Sequence, residues 1–261
     1  MSSDPSGATR RGLLGGALTG LAGAGLAGCD QITASPAVNE TLNGMDGLTF
    51  HAQRLLLGRD ALAREYPASA ISPDFKANGS TNPDNEDYQQ HLADGFKAWR
   101  LEIGGLVERP LSLSLDELRA APRRSQITRH DCVEGWSSIA KWSGARLGPL
   151  LDRAGVKPAA KYVAFFCADT LELTLDGTGD YYETIDLNDA RHPQTILADE
   201  MNDKVLPLAH GAPIRLRLER QLGYKMAKYV MRIELIDSFA GLGLGKGGYW
   251  EDRGYQWYAG I

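Results

Sequence analysis

"RHDCVEGWSSIAKWSGARLGPLL", residues 129–151, places one cysteine at its head in a chain that has only three. Cys132 follows the charged run Arg129-His130-Asp131 and precedes Glu134 and Trp136. Upstream, "RSQITRHDCV" reads as a strand that runs out into the cysteine. Downstream, "GARLGPLLDRAG" predicts a short helix ended by Gly155. A cysteine in a loop at a strand end is open to three roles: half of a disulfide, a redox thiol, or the ligand of a heavier atom.

The flanking sequence sets the fold class. "WRLEIGGLV" (99–107) alternates as a strand does, and "LSLDELRAAP" (113–122) begins a helix with Ser114 and Glu117 as a capping box. "KYVAFFCAD" (161–169), "LELTL" (171–175), "APIRLRLE" (212–219) and "KYVMRIELID" (228–237) predict further strands. "FHAQRLLLGRDALAREYP" (50–67) has the apolar spacing of a helix ending near Pro67, and residues 68–95 predict a long polar loop. No repeat is visible. Many strands with short helices, and no βαβ alternation, predict a single α+β domain.

At 261 residues and 43% hydrophobic, the chain can bury a substantial core. Its formal net charge of −5 argues against a nucleic-acid partner, which would need a basic stripe. Past the first thirty residues no apolar run approaches the roughly 20 residues that span a bilayer. Residues 1–28 predict an export signal: Arg10-Arg11, then a mild Gly/Ala/Leu run, as in the twin-arginine route. Leu26-Ala27-Gly28-Cys29 is similar to a lipobox, which makes Cys29 a lipid-anchored first residue. Asp30 then favours retention at the outer face of the cytoplasmic membrane, a periplasmic location. Residues 29–50 predict a polar tether. If Cys29 carries lipid, only Cys132 and Cys167 remain, and in an oxidising compartment they could form one bridge. The chain has no CxxC and no CxxCH, and its histidines (51, 91, 130, 192, 210) are too scattered for a zinc site.

Three blocks in order carry a family resemblance: residues 129–151, "KYVAFF" (161–166) and "LPLAHGAPIRLRLERQLGYKMAKYVMRIELI" (206–236). Together they resemble the molybdopterin domain of the sulfite oxidase family, over roughly residues 70–258. The resemblance is strongest to its smaller bacterial members, the catalytic subunits of periplasmic methionine sulfoxide reductases. It implies one molybdopterin-binding domain over residues 51–261, with mixed sheets and short helices, a molybdenum–molybdopterin cofactor, no dimerisation domain, and hence a monomer. It also implies that Cys132 is both the metal ligand and the catalytic centre. A thiolate suits molybdenum as a soft anionic ligand, and a bound metal deprotonates the thiol without a neighbouring base. On the same resemblance His210, Arg215, Met226, Ala227 and Lys228 hold the pterin and its phosphate. His210 departs from the asparagine of those relatives, though it can donate a similar hydrogen bond. Cys167 stands where they have a threonine. Asn78, beside Lys76 in "DFKANG", matches the N-terminal cofactor loop, and Lys225 is a second candidate cation.

The implied activity is oxygen-atom transfer. Sulfite oxidases of this family carry "CAGN" and arginines after the ligand cysteine, whereas this chain has Val133-Glu134-Gly135-Trp136. Glu134 disfavours a dianion there, so the expected substrate is a neutral, sulfoxide-type compound such as a protein methionine sulfoxide. Sulfite oxidation is the alternative within the family. No haem motif lies in the chain, so electrons require a partner, a membrane haem-b subunit or a c-type cytochrome. An alternative of another class is a non-enzymatic exported binding lipoprotein with a Cys132–Cys167 disulfide. Tyr249, Trp250, Tyr255, Trp257 and Tyr258 either wall a substrate mouth or cover the core. "GLGLGKGG" (241–248) lacks the spacing of a phosphate loop and predicts a plain loop.

Overall fold

The hairpin that delivers Cys132 is built from the two long strands that flank it. A computed structural model describes Ser35, residues 47–56, Gly58 and residues 60–261. Within it β3 (Arg123–Asp131) pairs antiparallel with β4 (Ser137–Arg146), from Arg123 opposite Ala145 to Asp131 opposite Ser137. β4 pairs antiparallel on its other edge with β7 (Ile196–Met201), which also pairs with β8 (Lys204–Val205) and β9 (Arg215–Arg217), making one five-stranded sheet.

The second sheet has the order β2-β1-β10-β5-β6, with β1 at Arg100–Gly105, β2 at Leu111–Ser114, β5 at Tyr162–Thr170, β6 at Asp180–Asp186 and β10 at Val230–Ile236. Only β1 and β10 run parallel; the other pairs are antiparallel. Leu101 and Ile103 point inward while Arg100 and Glu102 face water, the period-2 pattern of a half-buried strand. One apolar core joins Leu101, Ile103, Val163, Phe165 and Ile233 of this sheet to Leu197 and Leu216 of the other. Each such side chain contributes about 1.5–3 kcal/mol by leaving water.

The helix Leu147–Ala154 seals that core. Leu147, Leu150, Leu151 and Ala154 are buried at a spacing that makes one apolar face. It stops where expected: Gly155 is left-handed, and its N–H donates to the Leu151 carbonyl. The helix Leu115–Ala120 carries the expected capping box, with Ser114 and Glu117 bonded in both directions.

Three elements differ from the sequence reading. Among the described residues the helix expected to Pro67 is seen over 47–56. Beyond it the chain is extended, with Glu65 bridging to Thr128 and the Tyr66 N–H donating to Ile127 O at 2.9 Å. Pairing along the edge of β3 therefore overrides helical spacing, and Leu55, Leu56 and Leu62 are exposed. "LELTL" is a turn segment with Leu173 and Leu175 fully exposed, and the strand beside β5 is β6, further along the chain. The expected loop 68–95 holds a helix, Glu86–Ala93, capped by the Asn85 side chain and anchored by buried Tyr88, whose hydroxyl donates to Ala212 O at 2.6 Å.

Leu56–Ile261 is one unit, and the residues before it are another. The export signal, Cys29 and nearly all of the tether lie outside the described residues. Among the described residues no helix is long and apolar enough to cross a membrane.

Candidate cofactor and active site

Cys132 sits at the tip of the β3–β4 hairpin, and backbone bonds hold it there. Its N–H donates to Trp136 O at 2.9 Å, its carbonyl accepts from Gly135 N–H at 3.0 Å, and Gly135 supplies the positive φ the turn needs. Outside the turn, Glu134 accepts from the Trp136 indole at 2.9 Å and pairs with Lys76 at 3.1 Å. The thiol is 8% exposed. Burial pushes it above its ordinary range and Glu134 adds to that, while the N–H groups of Glu134 and Val133 and the charge of Lys76 pull the other way. Such a thiol is not a ready nucleophile by itself. It becomes an anion when a metal claims it.

Cys132 opens onto a cavity of about 670 Å³. Asn78, Met226 and Lys228, expected near the cofactor, line the same space. Trp250 and Tyr255 of the C-terminal aromatic group form part of its wall, stacked at 5.2 Å, while Tyr249 is buried in the core. His210, Arg215, Ala227 and Cys167 are not on the cavity surface. Arg215 lies behind it, its guanidinium donating to His210 O at 3.1 Å and Met226 O at 3.3 Å. Ala227 is bonded through its carbonyl to the Leu216 N–H, which fixes the 226–228 segment along β9.

Two cysteines that could have formed a bridge are both free thiols. Cys167 is at the end of β5, opposite Val230, and burial drives its thiol well upward, with Asp169 and Glu183 adding to the effect. The disulfide alternative has no support in this geometry.

The region behind the cavity carries more positive charge than it balances. Arg217 is neutralised by a two-pronged pair with Glu219, at 2.9 and 2.7 Å. Arg215, 1% exposed, has no carboxylate in contact among the described residues, and burial together with Arg217 lowers it to about 9. Among the described residues its Nε has no partner, and neither does Nε2 of wholly buried His130. Lys228 is also buried, and burial with Arg215 lowers it to about 8. His130 and His210 are held neutral, His210 down at about 4, mainly by burial and then by the arginines.

Uncompensated cations and orphaned polar atoms are costly unless an anionic, hydrogen-bonding group completes them. Among the described residues no three of His, Cys, Asp or Glu form a metal-ligand set. A cofactor that brings its own sulfur ligands and a phosphate fits this donor set: one thiolate for the metal, and cations for the anion. Lys228 contributes chiefly charge, because its three protons already point at carbonyls of Asn78 (2.6 Å), Ser80 and Ala209 (3.2 Å).

Residues 89–240 match the family described as the oxidoreductase molybdopterin binding domain. The chain belongs to that family. It is a molybdopterin-dependent oxidoreductase domain, and the resemblance read from residues 129–151, 161–166 and 206–236 is borne out, as are the α+β class and the cofactor. A protein of Azospira oryzae named as a protein-methionine-sulfoxide reductase subunit, YedZ1, is 39% identical over 235 residues, 90% of this chain and 81% of that one. The catalytic subunit MsrP of Xanthomonas axonopodis pv. citri is 37% identical over 53% of this chain and 45% of its own. That of Campylobacter jejuni is 35% identical over 55% and 51%. This chain thus spans about half the length of those catalytic subunits. The sulfane dehydrogenase SoxCD from Paracoccus pantotrophus matches 54% of this chain and 39% of its own at 25% identity, with a TM-score of 0.48.

Within the molybdopterin domain, sequence reading missed Asp169, Tyr181 and Tyr224, all on the cavity wall. Phe75 was missed too; it is a hub against His130, Trp136, Trp142 and His210 at 5.5–6.3 Å. Its place one residue before Lys76 in "DFKANG" was the available signal.

Proposed function

We propose that this protein reduces a neutral sulfoxide, such as an oxidised methionine side chain, to the thioether. The observation that carries this reading is the charge of the cavity wall. It holds two carboxylates, Glu134 and Asp169, and no arginine, and its one cation, Lys228, is saturated by carbonyls. A sulfite dianion would meet two carboxylates there against one cation whose donors are already committed. An uncharged sulfoxide meets apolar and aromatic walls, Leu171, Tyr224, Trp250 and Tyr255, suited to methyl and thioether groups. The names of the two MsrP relatives, protein-methionine-sulfoxide reductase catalytic subunits, agree with this substrate class.

Cys132 would hold the molybdenum. Met226 and Lys228 on the cavity wall, backed by the buried charge of Arg215 and by His210 and Ala227 behind it, would hold the pterin phosphate, with Asn78 closing the N-terminal side. When bound, the cofactor supplies two-electron oxygen-atom transfer. The protein's share is to orient the sulfoxide oxygen toward the metal, keep the site dry and manage protons. Export by the twin-arginine route, a lipid anchor at Cys29 and a haem-containing electron donor complete the proposal. They rest on residues 1–29 and on the lack of any haem-attachment motif in the chain.

The test is elemental analysis followed by two assays of the loaded enzyme. Close to one molybdenum per chain, with sulfoxide-dependent oxidation of a reduced viologen and no sulfite-dependent ferricyanide reduction, is expected. Sulfite oxidation without sulfoxide reduction overturns the substrate assignment in favour of the sulfite-oxidising alternative.

A further inference from the structure

Sulfoxide reduction consumes protons, and one side chain on the cavity wall is suited to deliver them. Asp169, near the end of β5, lines the same cavity as Cys132 and is 4% exposed. Its Oδ2 accepts from the Ser80 hydroxyl at 3.0 Å, and its buried Oδ1 has no partner among the described residues. A carboxylate kept for structure alone is normally bonded at both oxygens when buried, since an unsatisfied one costs about 1–3 kcal/mol or more. The nearby ammonium of Lys228, which could have paired with it, is instead committed to three carbonyls.

We propose that Asp169 is the acid that protonates the oxygen leaving the substrate. The inference rests on the sulfoxide reading above. The balance is R₂S=O + 2 e⁻ + 2 H⁺ → R₂S + H₂O. The sulfur–oxygen bond breaks, two O–H bonds form, and sulfur is reduced by the electron pair that the haem-type donor provides through the cofactor. Asp169 gives one proton and is reprotonated from solvent through the cavity mouth; solvent supplies the other.

The surroundings set its titration. Facing it are Ser80 and Lys228, Tyr229 before β10, Asp180 and Tyr181 at the start of β6, Cys167 on its own strand, and Tyr88 of the helix Glu86–Ala93. Burial raises the carboxyl to about 6, against the pull of Ser80 and then Lys228. A donor in that range is partly protonated near neutrality, as efficient acid catalysis requires. Glu134, the other carboxylate on the wall, is exposed, and its bonds to Trp136 and Lys76 hold it below its ordinary value.

The experiment compares the molybdenum-loaded wild type with Asp169→Asn and Ser80→Ala, reading metal content, the pH profile of kcat and the pH dependence of the Mo(V) electron paramagnetic resonance signal. Asp169→Asn is expected to keep its molybdenum and its KM, to lose about 10²-fold or more in kcat near neutral pH, and to lose the inflection near pH 6 in both profile and spectrum. Ser80→Ala, which removes a bond that favours the ionised form, moves that inflection to higher pH. Unchanged pH behaviour in Asp169→Asn, or an unmoved inflection in Ser80→Ala, overturns the assignment. So does loss of molybdenum from Asp169→Asn alone, which makes it a cofactor-holding residue. The spectrum needs no substrate: a wild type with the inflection but no sulfoxide turnover overturns the substrate reading, while turnover without the inflection overturns Asp169 alone.

Discussion

Gly223 lies against the imidazole of His130, so close that a β-carbon on it would sit inside van der Waals contact with both Cε1 and Nε2. The two residues are distant in sequence, yet both border the site: His130 is two residues before Cys132, and Gly223 lines the cavity. The ring is also held at 3.2 Å by Arg217, so it has little room to yield.

Gly223→Ala should therefore overpack the site. The expected loss is about 1–3 kcal/mol of stability, with reduced molybdenum retention, because the displaced imidazole disturbs the hairpin that carries the cysteine. Urea unfolding of the purified variant, with metal analysis, checks this. A variant as stable and as metal-rich as wild type would show that the His130 ring can move freely.

Cys132→Ser should fold and still lose the metal. The hairpin tip is held by backbone bonds that a serine keeps, and the change replaces a soft thiolate by a hard, poorly ionised hydroxyl. Circular dichroism should match wild type while molybdenum and activity are absent. Full activity in the variant would sink the ligand assignment.

Lys225→Met should be among the most damaging single changes in the protein. The ammonium has no solvent exposure and bridges Glu183, at 2.5 Å, and Glu251, with a third contact to Thr184 O at 3.2 Å. Without it two buried carboxylates face each other, a loss of about 3–5 kcal/mol. Adding Glu183→Gln and Glu251→Gln to Lys225→Met should restore much of that stability. A triple variant no better than the single would mean that packing, not charge, carries the site.

His210→Gln should flatten the acid sensitivity of the protein. Burial, then Arg215 and Lys228, depress the folded-state value of His210 to about 4, so the unfolded chain binds its proton first. Stability from this residue is present above about pH 6.5 and is lost as pH falls through 4. Thermal midpoints measured from pH 7 to pH 4 should fall less in the variant than in wild type. Parallel curves would mean that His210 does not contribute to the loss.

Much of the frame is local, and local signals were legible. The alternation of "RSQITRHDCV", the Ser114–Glu117 box and the Gly155 stop each act within a few residues, and each stands where its pattern puts it. "LELTL" shows the limit. Alternation identifies a strand only if a neighbour accepts it, and β5 takes β6 instead. "FHAQRLLLGRDALAREYP" failed likewise, because the edge of β3 captures its second half. At the site, Cys132, Met226 and Lys228 lie in the family blocks, and Asn78 was reachable only as a match to the N-terminal cofactor loop outside them. Asp169 was not: in sequence it is only the last polar residue of a strand, and its meaning comes from Ser80, 89 positions away. The cluster of Lys225, Glu183 and Glu251 is hidden for the same reason.

The ammonium of Lys228 has a consequence for the order of events as the chain folds. It gathers the carbonyls of Asn78 and Ser80, 150 and 148 positions upstream, together with that of Ala209. Contacts so far apart in sequence form late, after both sheets have brought their ends together. The stretch that carries Asn78 is thus held to the pocket from across the chain, and Lys228 is its clasp. A change that freed the Lys228 ammonium would therefore loosen the Asn78 side of the pocket from 150 positions away.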